Sequence, residues 1–196
     1  MAYNETLDKG LFIAGLDAVR EIGGQELAQL LLEQAGQAEF GHNELLPDRI
    51  TIDQYIRFRD TALEFLQESY RMTAFNTGRL LTRKLKAEKG NEIEMLVQAF
   101  GYAKNKLPVI GQAAVLASKE NPGTVHAEMR DTDVLSLTIE DCPECRGLKE
   151  KTPFCYLNQG VIAEFAEAYL DLHVVTQEKN CIALGDAVCE IEVRIA

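Results

Sequence analysis

The hydrophobic pattern of this chain changes its period once, near Pro108. Before that point, apolar residues recur at the spacing of amphipathic helices. After it, apolar and polar residues alternate, as in Leu135, Leu137 and Ile139 against the polar residues between them. Alternation of this kind is typical of strands with one buried face. A helical half followed by such strands predicts an α+β fold, with helices packed on an antiparallel sheet.

The first half of the chain carries several helix signals. Thr51 and Gln54 form the polar pair of a capping box, which predicts that a helix begins there. Gly23-Gly24 is expected to end the first helix, and Pro108 is expected to close the last. The predicted helices cover residues 11–22, 25–38, 51 to the low seventies, 74–89 and 92–105.

The second half is predicted to be an antiparallel sheet interrupted by one helix. Asn121-Pro122-Gly123 and Asp131-Thr132-Asp133 are turn signals between short runs of strand pattern. A last hairpin is expected to turn at Gly185-Asp186. The predicted strands cover residues 112–118, 125–130, 135–140, 173–178 and 187–195, and the helix covers 156–170.

Charge and length limit the classes of partner. The chain has 196 residues, with 31 acidic against 20 basic side chains and a formal net charge of −11. An acidic surface repels phosphate backbones and anionic lipid, so we expect no nucleic-acid partner. There is no transmembrane run of apolar residues and no signal-peptide pattern at the start. We therefore expect a cytoplasmic protein of one domain, with a possible appendage.

All five cysteines lie after Asp141, which is the most uneven feature of the composition. Cys142 and Cys145 form a CxxC motif at a predicted strand end, Cys155 precedes a predicted helix, and Cys181 and Cys189 flank the last turn. An odd count without an export signal argues against a disulfide framework. Thiolates at hairpin ends suit a tetrahedral zinc ion, and Glu178 is near enough to add a carboxylate. Buried free thiols and a redox pair are the alternatives.

The C-terminal segment resembles the terminal signature of the vinyl-4-reductase (4VR) domain family. Residues 178–191 fit E-x-x-C-x-A-x-G-D-x-x-C-x-[FI], and the segments Asp141-Cys142-Pro143-Glu144-Cys145 and Cys155-Tyr156-Leu157-x-x-Gly160 resemble two upstream motifs of the same family. Asn76-Thr77-Gly78-Arg79 falls where the family has a helix start with a glycine. The resemblance covers roughly residues 70–196. We therefore divide the chain into a helical N-terminal extension, 1–50, and a 4VR-type ligand-binding domain, 51–196.

The resemblance implies a site and a fold. It implies a compact domain related to the sensor domains of aromatic-responsive bacterial activators, to Golgi transport-particle subunits and to haem-dependent nitric-oxide sensors. It also implies a structural zinc held by Cys155, Glu178, Cys181 and Cys189. Cys142 and Cys145 belong to a CPxC subgroup and are either alternative ligands or a thiol pair.

A hydrophobic pocket is expected between the helices and the sheet. Its candidate lining is aromatic on the helices and aliphatic on the sheet: Phe58, Phe65, Tyr70, Phe75, Leu135 and Leu137. The alternative is that these side chains only fill the core.

The leading hypothesis is a non-enzymatic binding or sensor domain for a hydrophobic small molecule such as a tetrapyrrole. The family implies a role in tetrapyrrole biosynthesis or photosystem assembly, and a homodimer. One alternative is a 4-vinyl reductase or its accessory subunit in (bacterio)chlorophyll synthesis, although the chain has no nucleotide-binding fingerprint. Another is a dimeric assembly factor that binds a protein partner through its helical half.

Overall fold

The computed structural model describes residues 6–41, 46–100, 106–119 and 123–196, and it confirms the α+β layout. The helices are α1 (Lys9–Gln34), α2 (Ile52–Leu66), α3 (Tyr70–Phe100), α4 (Leu107–Ser118) and α5 (Tyr156–Leu170). The strands are β1 (Thr6–Asp8), β2 (Arg49–Thr51), β3 (Thr124–Asp131), β4 (Val134–Glu140), β5 (Val174–Asn180) and β6 (Cys189–Ile195). Among the described residues, no helix is long and apolar enough to cross a bilayer.

Strands β3 to β6 form an antiparallel sheet in the order β3-β4-β6-β5. The period-2 pattern puts Leu137 opposite Ile191, and Ile191 opposite Glu178, in one row across the inner face. The other face carries charged side chains, including Arg130, which pairs with Glu190 at 3.4 Å. The helices therefore cover one face only, and the inner face forms the core with them.

Helices α3 and α5 cross with almost no side chain between them. A Cβ atom added to Gly78 would lie 2.1 Å from the carbonyl oxygen of Leu157, and one added to Gly160 would lie 2.0 Å from that of Phe75. Both glycines are thus required by close backbone contact. Glu164 of α5 links the two helices at the same crossing. Its buried carboxylate accepts hydrogen bonds from Arg79 of α3 at 2.6 Å and from Arg83 of α3 at 2.7 Å.

Two threonines of α3 face neighbouring helices, Thr77 towards Gly15 of α1 and Thr82 towards Val161 of α5. Thr77 and Thr82 are buried, and their hydroxyl groups donate to the carbonyl oxygens of Thr73 and Gly78 one turn earlier. Their polar groups are therefore satisfied inside the helix itself.

The predicted capping box is confirmed, since the Thr51 side chain accepts from the Gln54 amide and the Gln54 side chain accepts from the Thr51 amide. The predicted end of the helix in the low seventies is wrong. Helix α2 ends at Leu66, and a 3-10 turn over Gln67–Ser69 leads into α3.

The predicted break at Gly23-Gly24 is confirmed, because Gly24 has non-helical backbone angles, φ 75° and ψ −177°, and α1 consists of two helical segments that meet at a kink there. The predicted break before Glu92 is wrong. Helix α3 is continuous through Gly90, where a Cβ would have free space, although two helices were predicted there. Glycine inside a helix costs only about 1 kcal/mol relative to alanine, which tertiary packing can offset. Predictions over residues 101–105 and 121–122 lie outside the described residues.

The strand predicted over 112–118 is wrong, because this segment belongs to α4. Pro108 lies in the first turn of that helix, where its missing N–H is not needed, so it begins a helix instead of closing one. Leu107, Ile110 and Ala114 follow the helical period and pack against the core.

The sequence did not reveal the β1–β2 pair, in which Leu7 lies opposite Ile50. Phe12 and Leu16 of α1 belong to the same core cluster as Leu135 of the sheet. The division of the chain at residue 50 stays a prediction.

Candidate metal centre

One turn and the ends of three elements bring the five cysteines together. Cys142 and Cys145 lie in the turn after β4, Cys155 is the N-cap residue of α5, Cys181 follows β5, and Cys189 begins β6. The turn is closed by backbone hydrogen bonds from the amides of Cys145 and Arg146 to the carbonyl oxygen of Cys142. All five thiols are free and buried.

The sulfur atoms are spaced like the ligands of one tetrahedral ion. Cys155 Sγ lies 3.4 Å from Cys145 Sγ and 3.7 Å from Cys142 Sγ, and Cys145 Sγ lies 3.6 Å from Cys181 Sγ. With zinc–sulfur bonds of about 2.3 Å, the corners of a tetrahedral site are about 3.8 Å apart. One donor atom from each of five residues lies within 4.8 Å of all the others: Cys145, Cys155, Glu178, Cys181 and Cys189. The arrangement can hold a metal ion.

Glu178 brings a carboxylate to this cluster from the inner face of β5. Its Oε2 accepts a hydrogen bond from the Cys155 amide at 2.8 Å. Its Oε1 is buried and has no hydrogen-bond partner among the described residues. Burial raises the pKa of Glu178 to about 7. A buried oxygen without a partner is costly, and a cation or a proton would relieve that cost.

The thiols cannot all ionise without a counter-ion. A hydrogen bond from Cys155 lowers the pKa of Cys181 to about 5, and hydrogen bonds with Cys142 and Cys145 raise the pKa of Cys155. Like charges in a buried cluster disfavour each other, so an ionised thiol makes its neighbours harder to ionise. A divalent cation would remove this repulsion and favour several thiolates at once.

Two residues outside the predicted set hold the CxxC turn. Arg59 of α2 is almost fully buried and donates to the carbonyl oxygens of Pro143 and Glu144, both at 3.0 Å. Its charge is balanced by Asp60 at 2.7 Å. Sequence reasoning missed Arg59, although a charged residue on an otherwise apolar helix face is a usable signal.

The second is Glu144, whose buried carboxylate accepts from the Leu157 amide at 3.1 Å and from Asn158 at 3.4 Å. It therefore caps the N-terminus of α5 in place of Cys155, whose own side chain makes no capping hydrogen bond. Desolvation raises the pKa of Glu144 well above its ordinary value.

Residues 135–195 match the model of the vinyl-4-reductase domain family. This match confirms the resemblance seen in the sequence and spans every cysteine of the cluster. It is narrower than the 70–196 range that the sequence motifs suggested.

Two uncharacterized proteins of Methanocaldococcus jannaschii are also similar. MJ0745 is 31% identical over 117 residues, which cover 59% of this chain and 63% of that protein. MJ1642 is 30% identical over 69 residues, which cover 35% of this chain and 43% of that protein. The chain thus matches less than two thirds of the length of either relative.

The fold of the chain is that of H-NOX proteins. A mutant H-NOX protein from K. algicida, in the unliganded Fe(II) state, superposes with a TM-score of 0.71 over 97% of both chains at 10% identity. An H-NOX protein from S. oneidensis in the Fe(II)NO state superposes with a TM-score of 0.65 over 97% of this chain and 99% of that chain, at 12% identity. At such identities the likeness concerns the fold alone.

The two described histidines, His126 and His173, do not fit an iron site inside this fold. His126 lies on the outer face of the sheet, with a side chain 61% exposed, and pairs with Glu140. His173 is exposed just before β5. His42 lies outside the described residues. Neither described imidazole faces the interior, so neither is placed to ligate an iron ion there.

The residues predicted to line a pocket occupy different environments. Phe58 packs on Phe12 with ring centroids 4.8 Å apart, and Tyr70 stacks on Phe154 at 5.3 Å. Phe75 is half-buried beside the α3–α5 crossing, whereas Phe65 is 42% exposed. Leu135 and Leu137 are buried on the inner face of the sheet. The pocket itself stays a prediction.

Proposed function

We propose that the chain is a metal-stabilised binding domain that holds a hydrophobic small molecule and acts as a sensor or carrier of it. The buried thiol cluster is the observation that carries the metal part of this proposal. The ligand part is supported by the vinyl-4-reductase domain match and by the H-NOX-like fold. Zinc is the proposed ion, because closed tetrahedral ligand sets rich in thiolates are typical of structural zinc sites.

Several buried ligands at segment ends imply a structural role for the ion. A single ion would join the turn after β4, the start of α5 and the last hairpin. Metal binding would then stabilise the fold directly. We propose that the site supports the shape of the domain, and that ligand recognition takes place in the apolar layer between the helices and the sheet.

A tetrapyrrole is the proposed ligand class, since one of the H-NOX structures was determined to probe heme distortion in that family. The described residues offer a tetrapyrrole apolar and aromatic contacts and no buried imidazole. We therefore propose binding by packing, with no axial histidine from the described part of the chain. A role in tetrapyrrole biosynthesis or photosystem assembly, and a homodimeric state, belong to the same proposal.

The test has a metal arm and a ligand arm. Elemental analysis of the purified protein is expected to give about one zinc per chain. Removing it with a chelator should lower the melting temperature and expose the five thiols to a thiol reagent. Titration with a metal-free porphyrin, followed by its absorption and fluorescence, is expected to show saturable binding.

Two Phe→Ala variants serve as a matched pair in the ligand arm. Phe58→Ala changes the buried aromatic layer, so porphyrin affinity should change by about tenfold or more, whereas exposed Phe65→Ala should leave it unchanged. Wild-type protein that binds neither porphyrin nor an apolar fluorophore would refute the ligand proposal.

A separate measurement tests the proposed homodimer. Sedimentation of the protein as a monomer at micromolar concentration would refute it.

A further inference from the structure

We propose that the ion is held by four thiolates, those of Cys145, Cys155, Cys181 and Cys189, and that Glu178 is a positioning residue. This assignment rests on the proposed metal site and differs from the ligand set that the family resemblance implies, in which Glu178 binds and Cys145 does not. Cys142 is then an unligated thiol beside the site.

Cys145 has the position of a ligand. Its Sγ lies 3.4 Å from Cys155 Sγ and 3.6 Å from Cys181 Sγ, so two of its separations match tetrahedral edges of about 3.8 Å. It also belongs to the group of donors that lie within 4.8 Å of one another. A set of three thiolates and Glu178 would leave this buried sulfur against the ion without a bond to it.

Hydrogen bonds from outside the cluster of sulfur atoms hold the turn that carries Cys145. Cys142 accepts two backbone hydrogen bonds within the turn, and Arg59 fixes the carbonyl oxygens of Pro143 and Glu144 from outside. Because the backbone is already fixed, little conformational freedom is lost when Cys145 binds the ion.

Glu178 positions a ligand residue instead of binding the ion. Its Oε2 accepts from the Cys155 amide at 2.8 Å and so fixes the residue that carries a central sulfur of the cluster. Carboxylates that orient ligands in this way are typical of the surroundings of metal sites. The Oε1 atom of Glu178 has no hydrogen-bond partner among the described residues, and Glu178 belongs to the group of clustered donors. The experiment therefore compares Cys145 with Glu178 directly.

Cys142 is buried and contacts the cluster, but at least one of the other five donors lies more than 4.8 Å from its sulfur. Its Sγ is 3.7 Å from Cys155 Sγ, but it is not in the group whose donors lie within 4.8 Å of one another. Asn158 donates to this sulfur at 3.6 Å. A four-thiolate site also implies a preference for soft ions, so cadmium should displace zinc readily.

Cobalt(II) substitution distinguishes the two ligand sets, because the intensity of the thiolate-to-cobalt charge-transfer band rises with the number of thiolates bound. Three single variants of the full chain are compared with the wild type: Cys145→Ser, Glu178→Gln and Cys142→Ser. We expect Cys145→Ser to lose about a quarter of the band. Glu178→Gln should keep the full band, since glutamine still offers an oxygen to the Cys155 amide, and Cys142→Ser should keep it as well.

The reverse pattern would overturn the assignment: a full band in Cys145→Ser with a changed spectrum in Glu178→Gln, or a loss in Cys142→Ser. X-ray absorption of the zinc-loaded wild type gives an answer even if a variant does not fold. Four sulfur neighbours support the four-thiolate site, and three sulfurs with one oxygen refute it. A wild type that binds neither zinc nor cobalt would instead refute the metal site as a whole.

Discussion

The crossing of α3 and α5 gives the sharpest test of the packing. In Gly78→Ala, the new Cβ would lie 2.1 Å from the carbonyl oxygen of Leu157 and 2.7 Å from the amide nitrogen of Val161. Both are backbone atoms of the facing helix, so no side chain can rotate away. Gly90→Ala, in the same helix, is the matched control, because its Cβ would meet only the flexible Lys86 side chain at 3.9 Å.

The magnitudes follow from these distances. A carbon atom and an oxygen atom that are not bonded stay roughly 3.2 Å apart, whereas the new Cβ would lie 2.1 Å from the Leu157 oxygen. The two helices would therefore have to move apart by about 1 Å along a tightly packed interface. Overpacking of this kind costs about 1–3 kcal/mol and sometimes more. Replacing a glycine by alanine inside a helix stabilises the helix by about 1 kcal/mol. Because backbone must move, we expect Gly78→Ala to lower the free energy of unfolding by about 2 kcal/mol and Gly90→Ala to raise it by about 1 kcal/mol.

Urea denaturation of zinc-saturated protein, followed by far-ultraviolet circular dichroism, measures both variants. The midpoints should move in opposite directions while the slope stays constant. A Gly78→Ala variant as stable as Gly90→Ala would show that the helices do not touch at this point.

Two further predictions concern buried charges. Arg59→Met should cost about 2–5 kcal/mol, because it leaves two buried carbonyl oxygens of the CxxC turn without a donor, whereas exposed Arg57→Met should stay within about 0.5 kcal/mol of the wild type in the same urea assay. Glu164→Gln should cost about 1–2 kcal/mol at pH 7. Burial alone would raise the pKa of Glu164, but hydrogen bonds from two arginines outweigh it and hold that pKa below its ordinary 4.5. The stabilisation is therefore present above pH 4.5 and lost as the pH falls through the lowered value, so the gap between wild type and variant should close in acid. A gap that is the same at pH 3 and pH 7, or that also appears in exposed Glu167→Gln, would contradict this.

Much of the fold could be predicted because local signals agreed with the packing. The capping box at Thr51 and the alternation through Leu135, Leu137 and Ile139 each depend on a few neighbouring residues. The family signature implied that Cys155, Glu178, Cys181 and Cys189 hold one metal ion. One donor atom from each lies within 4.8 Å of the others, and the ligand set itself stays a prediction.

What could not be predicted depends on distant contacts. A proline such as Pro108 is compatible with the end of one helix or with the start of another. In this chain it begins α4, because the apolar residues of α4 pack against the core. Arg59 reaches the CxxC turn across 84 positions of sequence, and no local pattern contains that contact. The place of Cys145 in the cluster likewise depends on how the turn, α5 and the last hairpin meet.

The composition of α3 has a consequence for synthesis. Its partner α5 comes much later in the chain, so at about 5–20 residues per second α3 waits for several seconds before that face is covered. The surface that stays uncovered during this interval contains Gly78 and Thr82, and the Thr82 hydroxyl group already donates within the helix. Small residues of this kind expose little apolar surface at the crossing and offer little to non-specific association. The residues that allow close backbone contact in the folded state therefore also protect the nascent chain.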